Sequence, residues 1–188
     1  MLMANNCFYS MYVKGTKENV EEFIKVIKAD YDYGAMQFSH DRHMFRVFNA
    51  DEGEIETRDD GKYGVVINGD CAWSVATCML EGGYYARCKD QYGDNFRGTT
   101  LEIESENLNL EIEVFSEESG MCFQEHYVIR DGYVDVEECV DWYEYFIDEY
   151  DTKEEAEADL EIEITDEEWE AKEMITRGGF KSWDFTID

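Results

Sequence analysis

The chain contains no proline and no Ser- or Gly-rich stretch, so nothing in it reads as a linker between separate domains. Bases are scarce. Sixteen Lys and Arg stand against 46 Asp and Glu, a formal charge of −30 over 188 residues. That balance excludes nonspecific attachment to DNA, RNA or anionic lipid through bulk charge, and makes a cationic partner the natural one. No run approaches the roughly 20 apolar residues needed to span a bilayer. The opening Met1-Leu2-Met3-Ala4-Asn5-Asn6 has neither a basic start nor an apolar stretch, so no signal peptide is visible and the expectation is a soluble, cytoplasmic protein. The absence of a CxxC pair, of a GxGxxG or Walker-type loop and of an EF-hand loop leaves out zinc-ribbon, phosphate-loop and calcium-loop chemistry. No cofactor is implied.

What is present suffices for a core: 44% of residues are hydrophobic and 15% aromatic, which argues against wholesale disorder despite the charge. The length fits one large domain or one domain with an elaboration. The six cysteines (Cys7, Cys71, Cys78, Cys88, Cys122, Cys139) read as free thiols, mostly in the core. His40 and His43 lack a third ligand at metal-site spacing. Cys122 and His126, taken as one strand, would lie about 13 Å apart, too far for a nucleophile pair.

Cys7–Lys14 reads as a buried strand. Gly15 ends it and Thr16 is placed to cap a helix whose Val20, Phe23, Ile24 and Ile27 form one apolar stripe. Met44–Phe48 and Tyr63–Ile67 read as strands, with turns at Asp51-Glu52-Gly53, Asp59-Asp60-Gly61 and Asn68-Gly69-Asp70. Cys71–Leu80 is strand or helix, and Glu81–Asp94 reads as a loop. A second helix opens at Thr99 or Thr100. Leu110–Phe115 then alternates, with Leu110, Ile112 and Val114 on one face and Glu111 and Glu113 on the other. Ser116–Gly120 turns the chain, and Arg130-Asp131-Gly132 joins a hairpin. Leu160–Ile164 repeats the strand-like alternation, and Thr165–Glu168 matches a capping box opening a last helix.

The order strand, helix, strand, strand, helix, strand is that of an α+β, ferredoxin-like βαββαβ core, two helices on one face of an antiparallel sheet. The expected division is a core over residues 5–130 and an acidic α/β extension over residues 131–188, packed together as a single domain. Asn6-Cys7 with the strand to Val13, Gly15 and Asn19–Phe23, together with the helix–strand unit of residues 100–115 and the following Ser116–Tyr127, resembles the YubB-like ferredoxin-like domain family. The resemblance covers residues 5–130. It implies a protein carried by a phage, plasmid or other mobile element of bacteria, and it implies no catalytic residues. Ser119 stands where the family has a proline in the turn after the fourth strand.

Residues 135–173 hold 19 acidic residues and two basic ones, a net of −17. Trp142, Tyr145, Phe146 and Tyr150 anchor this stretch, so it is not read as a loose tail. Strand spacing would put Glu111 and Glu113, and likewise Glu161 and Glu163, about 7 Å apart on one face. With Glu154, Glu155, Glu157 and Asp159 they form the expected partner-binding set. A rigid row of carboxylates can imitate the charge outline of a nucleic-acid backbone, which in duplex DNA carries one charge per about 1.7 Å. The reading is a DNA mimic acting by protein–protein interaction, an inhibitor of a nucleic-acid-binding bacterial defence protein. Joined to the mobile-element resemblance, its most concrete form is an anti-CRISPR protein acting on Cas9 or its guide-RNA complex. The competing readings are a metal-dependent hydrolase or nuclease, and a plain acidic assembly subunit. Trp73, Tyr84, Tyr85, Trp142 and Tyr143 read as core or core edge.

Overall fold

The strand marked most clearly in the sequence lies in the middle of the molecule. A computed structural model, which describes residues 5–32, 37–93 and 96–187, places β1 at Asn6–Gly15. Cys7, Tyr9, Met11 and Val13 alternate onto one side and are fully buried, while Tyr12 packs on the other. Thr16 then accepts the Asn19 N–H and caps α1 (Lys17–Ile27), whose Val20, Phe23 and Ile27 close over that first side. Glu18 in its first turn and Lys25 in its last complement the helix dipole.

The remaining strands are β2 (Tyr31–Asp32), β3 (Gln37–Phe38), β4 (Val47–Glu52), β5 (Glu56–Thr57), β6 (Tyr63–Ala72), β7 (Glu111–Glu118), β8 (Phe123–Arg130), β9 (Tyr133–Tyr145) and β10 (Ile175–Gly178). The main sheet runs β10-β9-β8-β7-β1-β6-β4, with β5 also beside β6, and its pairings are antiparallel. β2 and β3 form a separate ribbon. Helices α2 (Val75–Met79) and α4 (Leu101–Leu108) share the core under α1, contributing Val75, Met79 and Leu101. Each such buried aliphatic or aromatic side chain is worth about 1.5–3 kcal/mol. The opposite face is covered near Tyr12 and Val128 by the C-terminal segment, through Phe185 and Ile187. The protein is therefore α+β, larger and more elaborate than a minimal βαββαβ core. Among the described residues no helix is long and apolar enough to cross a membrane.

Several local expectations are corrected. The strand expected at Met44–Phe48 starts only at Val47, because Arg46 takes a left-handed φ of 52° with its guanidinium over the Trp73 ring. Asp51 and Glu52 belong to that strand rather than to a turn. Asn68-Gly69-Asp70 does not interrupt β6 either. Gly69 lies opposite Tyr9, and a Cβ there would sit 2.3 Å from the Asn49 carbonyl and 2.5 Å from the Tyr9 hydroxyl. Glycine is present for close approach, not for a turn. The expected loop over residues 81–94 is in large part helical: Glu81–Tyr85 is kinked at Gly83 (φ −89°, ψ −132°), and α3 follows at Ala86–Tyr92; Asp94 lies outside the described residues. β7 runs on through Glu118, and the turn follows, with Cys122 at φ 59°. The Asp131-Gly132 hairpin forms as read, with both residues at positive φ, and β9 extends the same sheet along β8.

Candidate functional site

After β9 the chain builds a small acid-rich unit. Thr152 accepts the Glu155 N–H and caps α5 (Lys153–Leu160). Thr165 and Glu168 form a reciprocal capping box on α6 (Asp166–Ala171). Acids in both first turns favour the helix dipoles. Ile147, Ala156, Ile164 and Ile175 make a core, with Tyr145, Tyr150, Leu160, Ile162 and Trp169 packed around it. β10 pairs with the Trp142–Tyr145 end of β9 and ties this unit to the main sheet. The alternation at Leu160–Ile164 makes no strand, because Leu160 ends α5 and Glu161 turns away in the left-handed region at φ 56°.

The cations of the unit are used within it. Lys153 Nζ lies 2.7 Å from Asp166. Arg177 donates to both oxygens of Glu168 at 2.8 and 3.0 Å and to the Glu163 carbonyl at 2.9 Å. Lys172 sits over the Trp169 ring. The Arg177 guanidinium, followed by the Thr165 N–H, draws Glu168 down to about 2, and Lys153 likewise lowers Asp166. Glu154, Glu155, Glu161 and Glu163 are exposed, and their carboxylates take no hydrogen bond or ion pair among the described residues. Asp159 is exposed but accepts the Tyr150 hydroxyl at 2.6 Å. Glu157 is half-buried, and its carboxylate accepts the Ile164 N–H at 3.0 Å, a structural duty.

The other two expected carboxylates do not join this surface. Glu111 is half-buried and neutralised by Lys62 at 2.6 Å and Arg130 at 3.4 Å. Glu113 is fully buried. It accepts from His126 Nε2 at 2.9 Å, the Thr186 N–H at 2.5 Å, the Ile187 N–H at 3.0 Å and the Thr186 hydroxyl at 3.1 Å. Alternation sends a polar side chain outward only where the second face of the sheet is wet. Here Trp183 stacks on Phe8 and Phe115, and Phe185 on Tyr12, so that face is covered by the C-terminal segment.

Three more carboxylates lie inside. Glu104 is held by Arg42 at 2.5 Å and Thr99 at 2.6 Å, and Arg42 reaches on to Glu22 at 3.0 Å. Glu118 caps the Gly120 and Met121 N–H groups of its own turn. Glu125 accepts the first N–H of α2, at Val75, together with the Ser116 and Tyr127 hydroxyls, and burial pushes its carboxyl upward. The one signal in sequence is a lone acid inside an apolar window, as in Ile112-Glu113-Val114.

All six cysteines are free; Cys7, Cys71 and Cys78 are buried and Cys139 is exposed. The ring nitrogens of His126 face Glu138 and Glu113, not Cys122. Trp142 is buried, Trp73 stacks on Tyr84, and Tyr143 is exposed. Among the described residues no group of three or more His, Cys, Asp or Glu side chains is arranged to hold a metal ion. No family model, no curated protein and no solved structure matches this chain.

Proposed function

We propose that this protein is an acidic inhibitor that occupies the basic nucleic-acid-binding surface of a bacterial defence protein, most concretely Cas9 with its guide RNA. It would be encoded by a mobile element and act in the bacterial cytoplasm. We read the β7-β1-β6-β4 part of the sheet as a ferredoxin-like kernel of the YubB-like kind, on which the acidic unit is built. The observation that carries the functional reading is the ordering of that unit. Glu154, Glu155, Glu161 and Glu163 are exposed around a packed core whose lysines and arginine are already engaged. Carboxylates held this way need little reordering to meet a groove lined by Arg and Lys, and their field accelerates the encounter.

The test is DNA binding by purified Cas9–guide RNA complex, with the protein added at sub- to superstoichiometric ratios and at low and high salt. Stoichiometric inhibition that weakens with salt supports the reading. Full inhibition at a small fraction of one equivalent points to a turning-over enzyme. No inhibition, and no nucleic-acid-binding protein retained from a bacterial lysate at low salt, rejects it.

A further inference from the structure

Strand β9 leaves part of one edge of the main sheet open. It pairs with β8 over residues 133–141 and, on its other side, with β10 over residues 142–145. Past that point the Asp141 carbonyl still accepts the Gly179 N–H at 2.8 Å, while the Trp142 N–H points the opposite way, to the Cys122 carbonyl at 2.9 Å. Backbone groups alternate in direction along an antiparallel ladder. Residues 136, 138 and 140 therefore bond inward to β8, and Glu137 and Cys139 aim N–H and C=O outward. Among the described residues these outward groups have no partner. A bulge at Asp135, which the pairing skips between Val134 and Val136, ends the regular run.

The side chains along this run favour one kind of neighbour. Glu137 and Asp141 lie on one face, exposed, and neither carboxylate takes a hydrogen bond or ion pair among the described residues. On the other face Val136 and Val140 are half-buried, and Val136 packs against Tyr12, Val128 and Ile187. An unpaired edge is a template for another strand. A second copy of this chain fits it badly. Antiparallel pairing about Cys139 sets Glu137 opposite Asp141 twice, and pairing about Glu137 or Glu138 sets that glutamate against its own copy. Like charges directly opposite are destabilising.

We propose that the edge at residues 136–140 captures an extended basic segment of a partner protein, with Lys or Arg on alternate residues and apolar residues between them. The segment's backbone bonds Glu137 and Cys139, its cations face Glu137 and Asp141, and its apolar side chains lie beside Val136 and Val140. The carboxylates of α5 and α6 take no part, so the inference stands or falls apart from the inhibitor reading.

The probe is an acetylated, amidated peptide of four Lys-Val repeats, titrated into the full chain at an ionic strength of about 0.15 M. The control is four Lys-Pro repeats, which carry the same charge but cannot pair as a strand. Calorimetry should show one-to-one binding of the Lys-Val peptide with Kd below about 1 mM, at least about tenfold tighter than the control. Amide exchange at Glu137 and Cys139 should slow when the peptide binds. Cys139→Pro removes an outward N–H at an edge position that tolerates proline, and should weaken binding about tenfold. The pair Glu137→Lys and Asp141→Lys should do the same, with a thermal melt checking that both variants fold. Equal affinity for the two peptides reduces the attraction to bulk charge and overturns the proposal. No saturable binding, or unchanged exchange at both amides, overturns it too. So does a dimer in sedimentation in which those amides are already protected without peptide.

Discussion

The carboxylate of Glu113 and the imidazole of His126 meet at 2.9 Å in the interior, with Glu138 on the other ring nitrogen at 3.1 Å. Because Glu113 also accepts the Thr186 and Ile187 N–H groups, one side chain joins β7, β8 and the C-terminal segment. Glu113→Ala leaves these donors without an acceptor. A loss of about 3 kcal/mol is expected, read as a fall in Tm of roughly 6–12 °C for a chain of this size. Glu154→Ala on the exposed face of α5 should change stability by less than about 0.5 kcal/mol. Equal effects of the two substitutions in urea denaturation would contradict this placement of Glu113.

Gly69→Ala should destabilise by about 2 kcal/mol or more. The added methyl meets a backbone carbonyl in β4 and the Tyr9 ring system, and both are fixed by the sheet. The strand must give way on one side. Chemical denaturation measures the loss, and a neutral result would mean that Gly69 does not pack as described.

Buried and ion-paired carboxyls pull the pH dependence of stability in opposite directions. Burial raises the carboxyls of Glu102 and Glu125 above the ordinary value. A raised carboxyl favours folding when protonated. Its contribution is complete below about 4.5 and fades as pH rises through its folded value. Glu168, drawn from 4.5 to about 2 chiefly by Arg177, acts in the opposite sense. It stabilises above 4.5 and loses that contribution as pH falls toward 2, and Asp166 beside Lys153 follows the same direction. Denaturation at pH 6 and 3 should therefore show a smaller difference in Arg177→Ala than in the wild type, because the variant lacks the cation that lowers Glu168. The same loss of stability toward pH 3 in both would contradict the assignment.

Features set by local chemistry were legible in the sequence. The Thr16 cap with its apolar stripe, the Asp131-Gly132 hairpin and the Thr165–Glu168 capping box each act within a few residues, and each is found where the residues place it. Features decided across the sheet were not. Gly69 looks like a turn until Tyr9 is seen packing over it. Glu113 looks solvent-facing until the C-terminal segment covers its face. The acidic unit was legible as a composition shift, but which carboxylates remain exposed depends on partners distant in sequence. Glu157 serves Ile164, Asp159 serves Tyr150, and Glu111 is taken by Lys62.

The acidic-inhibitor reading is tested most directly by the affinity of this protein for purified Cas9–guide RNA complex across a NaCl series. The comparison is between the wild type and the combined variant Glu154→Lys, Glu155→Lys and Glu163→Lys. These three positions leave the Ile164 and Tyr150 contacts intact. Binding should weaken steeply with salt and fall about a hundredfold on charge reversal. Binding that ignores both salt and charge reversal, or its absence at low salt, would contradict it.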